Sequence, residues 1–269
     1  MDLQLSGDVA VVVGGSQGIG RAIASALVLE GVNVVLIDRD PSTPTSAREL
    51  AGDDPSRTFG FVADVTDYPA IVDVAMQVQR DYGRVDHVVF AAGIGSGQFG
   101  FPFWKVDPSV WDRVLRVNLV GAAHVAQAFA PAMAEARSGT MLFLASVAGQ
   151  IGSQTDPPYS ASKAGLINFA QCAAKDLAPF GVRVNTLCPG MVQTTLNRSV
   201  YQAWADRQPE DSRPTYEAWA GEKVKTIVPL GRWQTPEDLA AMAVFLASKQ
   251  AKNITGQTIN VDGGYVMHW

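Results

Sequence analysis

Tyr159 and Lys163 stand four residues apart in the run Tyr159-Ser160-Ala161-Ser162-Lys163. In a helix, that spacing places the phenol and the ammonium on one face, one turn apart. A free phenol ionises at about pH 10 and is a poor base at neutral pH. A nearby cation favours the phenolate and brings that value towards what a general acid/base needs. Such a pair can take a proton from an alcohol as hydride leaves the carbon, and return it in the reverse direction. Ser146, at the end of an apolar run, can polarise the same substrate oxygen. Asn118 lies inside a long helical pattern, where asparagine has low propensity. A kink that ties Asn118 through water to Lys163 would account for it. Taken singly, each residue also has an ordinary explanation, because Tyr–Lys pairs at this spacing arise by chance and Asn118 alone can face solvent.

A second cluster changes that balance. Gly14-Gly15-Ser16-Gln17-Gly18-Ile19-Gly20 follows an apolar run and opens a helical pattern. Glycines there let the backbone turn tightly and approach a phosphate, while the helix N-terminus offers amide donors and a positive dipole end. The placement between strand and helix, more than the glycines themselves, carries the reading as a dinucleotide site. Asp38 ends the second apolar run. A carboxylate there accepts from both ribose hydroxyls of NAD and repels the extra phosphate of NADP. Gln17 adds no positive charge to the loop, whereas Arg39 is placed to clamp a 2′-phosphate. Asp38 weighs more, so NAD(H) is expected over NADP(H). Asp64 and Val65 end the third run and are candidates to hold adenine. An N-cap role for the stretch Asp64-Val65-Thr66-Asp67 is nearly as good an explanation.

The elements that position these residues follow from periodicity. Apolar runs rich in β-branched residues lie at 9–13, 34–37, 58–62, 87–91, 140–145, 183–187 and 258–261. Helix-like stretches lie at 19–30, 47–51, 69–82, 108–134, 159–178 and 236–247. Strand followed by helix, repeated to the end, predicts an α/β fold: a doubly wound, seven-stranded parallel sheet with helices on both faces. The runs are continuously apolar, as a sheet buried on both sides requires. No linker interrupts the rhythm, so residues 1–269 read as one domain. An irregular stretch at about 191–229, with Tyr201, Trp204, Tyr216 and Trp219, is the exception.

The net charge of −5, without Lys/Arg clusters, gives no electrostatic footprint for nucleic acid or an anionic membrane. No apolar run approaches the roughly 20 residues needed to span a bilayer. Residues 1–7 lack a basic segment leading into an apolar run, which argues against a signal peptide and for the cytoplasm. Cys172 and Cys188 lie in apolar stretches without metal-ligand spacing and read as small core residues; no metal is expected. His87, His124 and His268 read as structural.

These motifs resemble the short-chain dehydrogenase/reductase family over essentially the whole chain. The resemblance rests on the glycine loop, Ala92-Gly93, Asn118, Ser146, Tyr159-Ser160-Ala161-Ser162-Lys163, Pro189-Gly190 and Asp262-Gly263-Gly264. It implies a single-domain Rossmann fold and a catalytic tetrad of Asn118, Ser146, Tyr159 and Lys163, with Lys163 also holding the nicotinamide ribose. It implies that Pro189, Gly190, Val192 and Thr194 form the nicotinamide loop, although Thr194 also suits an ordinary helix N-cap. It further implies a homotetramer, or a homodimer, built partly on the helices at 108–134 and 159–178. The sequence departs from the family's usual pattern at Val13, where threonine is usual, and at Phe90-Ala91, where two asparagines are usual.

By the same resemblance, the stretch at 191–229 closes the substrate pocket. Its aromatic rings suit sugars, polyols or small aromatics, and they equally suit packing within a lid. Trp204 is taken as a substrate residue beside Ser146, Tyr159, Gln150 and Gln154, with Gln98 and Thr155 as further candidates. The first expectation is an NAD-dependent dehydrogenase of a small secondary alcohol, polyol or sugar. A 3-oxoacyl-thioester reductase is the alternative within the same chemistry, and a non-catalytic NAD(H)-binding regulator is the alternative outside it.

Overall fold

The structure is a computed structural model and describes residues 2–52, 54–152 and 155–267. Its centre is β1 (Val9–Val13), five residues of valine and alanine that are all buried. Successive side chains on a strand point to opposite faces. Val9, Val11 and Val13 therefore enter one apolar core, and Ala10 and Val12 enter another. The other strands are β2 (Asn33–Asp38), β3 (Thr58–Val62), β4 (His87–Phe90), β5 (Gly139–Leu144), β6 (Val182–Pro189) and β7 (Thr258–Val261). All pair in parallel, in the order β3-β2-β1-β4-β5-β6-β7. This is the doubly wound sheet of a Rossmann fold, as the strand–helix rhythm predicts.

Each face of the sheet is covered by its own helices. The first core takes the apolar stripes of α3 (Tyr68–Tyr82), α5 (Gly121–Ala136) and α6 (Pro157–Leu177). The second takes α1 (Gly18–Leu29), α2 (Thr43–Ala51) and α9 (Pro236–Ala247). Strand order reverses between β1 and β4, so the crevice beyond their carboxyl ends is where a ligand is expected in such a sheet.

Three differences from the sequence reading matter. The helix expected at 108–134 is interrupted: α4 (Pro108–Leu115) passes through a π-helical turn at Arg116–Val120 before α5 begins. The stretch expected to be irregular contains two helices, α7 (Thr195–Ala205) and α8 (Tyr216–Ile227), each capped by a threonine, Thr194 and Thr215. Their aromatic pairs at i and i+3 face each other and hide the helical period behind scattered charges. Cys172 is exposed on α6 and not part of the core, whereas Cys188 is buried in β6.

The histidines described have structural partners. His87 sits between the Thr140 hydroxyl at 2.9 Å and the Asp8 carboxylate at 3.1 Å, and His124 is 2.9 Å from the Val65 carbonyl. His268 lies outside the described residues. Among the described residues no helix is long and apolar enough to cross a membrane.

Phe129 is among the largest fully enclosed side chains of the first core. Phe129→Ala should lower stability by about 3–5 kcal/mol through lost burial and the cavity left behind. Urea unfolding monitored by circular dichroism would check this; a loss below about 1 kcal/mol would mean that α5 does not depend on that contact.

Candidate active site

The glycine loop is shaped by close backbone approach. Gly14 has φ of +79°, and a Cβ there would lie 2.5 Å from the Ala92 amide nitrogen. A Cβ on Gly20 would lie 2.1 Å from the Gly14 carbonyl oxygen. The loop, the first turn of α1 and the chain leaving β4 thus pack backbone against backbone, and only glycine fits. Gln17, at the N-cap position of α1, makes no side-chain capping bond, and the first turn carries no acidic residue. The first amides of α1 and its positive dipole end are left for an anion.

A cavity of about 390 Å³ runs from this loop to Ser146 and Tyr159. Gly14, Gln17, Gly18, Ile19, Gly20, Asp38, Asp64, Val65, Ala92, Gly93, Pro189, Gly190, Val192 and Thr194 line it, together with Ser146, Tyr159 and Lys163. Ser16 does not; its amide donates to Asp38 Oδ2 at 3.2 Å and its hydroxyl meets Thr43 at 3.0 Å. Ser16 therefore fixes the Asp38 carboxylate, which also accepts from the Asp40 amide at 3.3 Å. Arg39 is exposed at the same end of the cavity. Asp64 accepts from the amide and hydroxyl of Thr66, both at 2.8 Å, while the N-cap of α3 is Asp67. The stretch 64–67 thus does cap α3, through Asp67, while Asp64 closes a local turn at the cavity wall.

Asn118 is fully buried in the π-helical turn and lies behind the wall of the cavity. Its Oδ1 accepts from the Ile94 amide at 2.8 Å, and its Nδ2 donates to the Ile94 carbonyl and to Ser162 Oγ, both at 2.9 Å. Ser162 in turn donates to the Tyr159 carbonyl at 2.7 Å. A Cβ on Gly93 would lie 3.3 Å from Lys163 Nζ and 3.5 Å from Asn118 Oδ1, so this glycine keeps open the space where the two groups converge.

Tyr159 occupies the first turn of α6, whose N-cap is Asp156. Asp156 is buried; its carboxylate accepts from the Ser96 amide at 2.9 Å and the Tyr159 amide at 3.3 Å. It locks the loop after β4 to the start of α6. Burial pushes the Tyr159 phenol up to about 12; its hydrogen bond with Ser146 works against this, and the charge of Asp156 adds to it. Lys163 Nζ donates to the Leu144 carbonyl at 2.6 Å and lies over the Tyr159 ring, 5.5 Å from its centroid. Burial pulls its ammonium down to about 8. The expectation of a phenol lowered by its lysine is therefore corrected for the protein alone. Desolvation dominates both groups, and the ammonium is hydrogen-bonded to a carbonyl, beside the ring, and not to the phenol oxygen.

The substrate residues read from the sequence are placed unevenly. Gln150 is not among the cavity-lining residues; its amide pairs reciprocally with Asn260 at 2.6 and 3.0 Å. Gln98 Oε1 accepts from the Asp107 amide at 2.9 Å and braces the loop after β4. The Thr155 carbonyl accepts from the Gly100 amide at 2.7 Å. Gln154 lies outside the described residues. Trp204 belongs to an aromatic cluster with Tyr201, Tyr216, Trp219 and Trp233 and is not among the cavity-lining residues. Ile94, Leu196, Asn197 and Val200 form that wall instead. Their signal was faint: Leu196, Asn197 and Val200 follow the Thr194 cap by two, three and six residues. Thr194 both faces the cavity and caps α7 through the Asn197 amide at 3.4 Å. Beneath it, Asp262 accepts from the Gly264 and Val266 amides at 2.9 and 2.7 Å, and a Cβ on Gly190 would strike Asp262. Of the departures from the family pattern, Val13 and Phe90 are buried in the first core, where Phe90 packs on Phe143, and Ala91 packs partly buried against the second.

Comparison with known proteins agrees with this geometry. A family model described as Enoyl-(Acyl carrier protein) reductase matches residues 13–266. The chain is 33% identical to a 3-oxoacyl-[acyl-carrier-protein] reductase, FabG, of Thermotoga maritima, over 98% of this chain and all of that one. It is also 33% identical to D-threitol dehydrogenase of Mycolicibacterium smegmatis, over 99% and 95% of the two chains. The L-sorbose reductase of Gluconobacter frateurii, solved with NADPH and L-sorbose, superposes with a TM-score of 0.90 at 27% identity, over the full length of both chains. The chain belongs to the short-chain dehydrogenase/reductase family. It is a nucleotide-cofactor oxidoreductase of that family.

Because ionised Asp156 opposes the phenolate, Asp156→Asn should move the rising limb of the pH profile for alcohol oxidation to lower pH, by up to about one unit. A limb that stays in place or moves up would remove Asp156 from the electrostatics of Tyr159.

Proposed function

We propose that this chain transfers a hydride between NAD(H) and the alcohol or carbonyl carbon of a small secondary alcohol, polyol or sugar. The carrying observation is that Ser146 and Tyr159, with Lys163, line the same cavity as the glycine loop and the Asp38 carboxylate. The cavity fits a dinucleotide by its own chemistry. Gly14 and Gly20 admit no Cβ, the first amides of α1 suit a pyrophosphate, and the fixed Asp38 suits two ribose hydroxyls. A bound nicotinamide supplies the hydride acceptor.

The chain's own residues do the rest. Ser146 orients the substrate oxygen and stabilises charge on it. Tyr159 takes the hydroxyl proton in oxidation and returns it in reduction. Its burial makes the neutral phenol the resting form, so a cation must favour the phenolate for oxidation, and Lys163 is the cation in place. Asn118 fixes the loop and helix that hold these groups. Preference for NAD(H) is supported by Asp38 and by the absence of a basic residue within the glycine loop; exposed Arg39 is the counterweight. The reading includes one catalytic domain closed by residues 191–229, acting in the cytoplasm as a homotetramer or dimer. Exposed Ala161 and Ala164 on α6, with Val120 between α4 and α5, support an assembly face there.

A 3-oxoacyl-thioester reductase is the second reading, favoured by the similarity to FabG. A binding-only regulator is disfavoured by the complete set Asn118, Ser146, Tyr159 and Lys163.

A panel of polyols, sugars, hydroxy acids and 3-oxoacyl thioesters, followed by the absorbance of reduced nicotinamide with both cofactors, separates these readings. Turnover restricted to 3-oxoacyl thioesters would replace the first reading with the second. Tyr159→Phe should lower kcat by about 10²–10⁴-fold while NADH still binds; near-normal turnover would remove the proposed acid/base. Asp38→Ala should shift the ratio of kcat/KM towards NADP by about tenfold or more, through lost ribose contacts and lost repulsion. An unchanged ratio would refute the assignment of the ribose site.

A further inference from the structure

The aromatic residues of the lid do not face the cavity, yet they are connected to one polar group that does. Asn197 lies in the first turn of α7, one turn before Val200, so the two share a helix face, and both line the cavity with Leu196 and Ile94. Beside these aliphatic side chains and the hydroxyls of Thr194 and Thr195, Asn197 supplies the amide of this wall. Its amide has two ends. The carbonyl oxygen Oδ1 accepts from the Tyr216 hydroxyl at 2.9 Å. The amino end, Nδ2, has no hydrogen-bond acceptor among the described residues.

The other end of that hydrogen bond is held firmly. Tyr216 is buried at the start of α8, in ring contact with Tyr201, Trp219 and Trp233 at centroid distances of 5.6, 6.4 and 6.3 Å. Arg198, the neighbour of Asn197, lies over the Tyr216 ring at 4.2 Å and pairs with Glu217 at 3.8 Å. The Tyr201 hydroxyl donates to the Pro214 carbonyl at 2.6 Å, tying α7 to the chain that enters α8. The lid core thus orients a single amide at the substrate end of the cavity.

We propose that Asn197 determines specificity by donating from Nδ2 to a second oxygen of the substrate, one that does not react, and that Tyr216 is the residue that positions it. This deepens the function proposed above and rests on it. The class selected is a secondary alcohol or ketone bearing a further hydroxyl or carbonyl oxygen, such as a vicinal diol or a hydroxyketone, in preference to a monofunctional alcohol. Such an amide discriminates strongly, because a substrate that lacks the second oxygen covers the donor from water on binding and leaves it unpaired.

The test uses the full chain with its preferred cofactor. It compares the best hydroxylated substrate from the panel with its counterpart lacking the second oxygen; 2,3-butanediol against 2-butanol is the simplest pair. The wild type should favour the hydroxylated member. Asn197→Leu, close in volume, should reduce the ratio of the two kcat/KM values about tenfold. Tyr216→Phe should raise KM for the hydroxylated substrate severalfold with kcat nearly kept. In the double variant the second change should add little, as expected when one residue acts through the other. NADH binding followed by its fluorescence should stay within about twofold in all three.

An equal loss on both substrates, or a weakened NADH affinity, would show that Asn197 only supports the fold and would overturn the proposal while leaving the hydride-transfer reading intact. Full additivity of the two changes would overturn the role of Tyr216. Turnover of neither alcohols nor ketones by the wild type would overturn the underlying reading, and this proposal with it.

Discussion

The site depends first on the buried amide of Asn118. All three of its hydrogen bonds are made inside the protein, where an unpaired donor or acceptor costs about 1–3 kcal/mol. Two of them grip the backbone of Ile94, just beyond β4. The third reaches Ser162, which holds the Tyr159 carbonyl in α6. To present the amide in this way, the chain accepts a π-helical turn between α4 and α5, a distortion often found at functional sites. One side chain thus ties together the strand exit that borders the cavity and the helix that carries the phenol and the ammonium.

Around this clamp, burial sets the electrostatics. Desolvation favours the neutral forms of both the Tyr159 phenol and the Lys163 amine. The two effects are complementary. A phenol that resists ionisation does not titrate idly, and an ammonium weakly held by water interacts strongly with charge that develops beside it. Asp156 contributes in both senses: its two hydrogen bonds hold α6 in register with the loop after β4, and its charge opposes the phenolate. Position and electrostatics are thereby coupled through the same carboxylate.

How much of this was legible in the sequence depended on whether backbone or tertiary packing enforces it. The parallel sheet was legible because continuous β-branched runs admit few alternatives. The glycine loop was legible because Gly14 and Gly20 answer to backbone clearances. The low helix propensity of Asn118 pointed to an interruption, although nothing local identified it as a π turn anchored on Ile94. Helices α7 and α8 were not legible: they are short, and the pairs Tyr201–Trp204 and Tyr216–Trp219 acquire meaning only when they face one another. Gln150 failed for the same reason, since its partner Asn260 lies 110 residues away. The exposure of Cys172 was likewise invisible, because an apolar neighbourhood in sequence does not say which side of α6 a residue occupies.

The two ends of the cavity therefore obey different rules. At the glycine-loop end, Gly14 and Gly20 stand so close to neighbouring main chain that a side chain at either would strike it. At the other end, the wall is made of side chains on α7, and α7 and α8 are held by ring contacts and by hydroxyls reaching across to the neighbouring helix or loop. A change there alters what the cavity accepts without disturbing Gly14, Asp38 or the clamp at Asn118. The shape of this end can thus vary on a fixed frame, because α7 and α8 keep their aromatic core between them and present only a narrow face to the cavity.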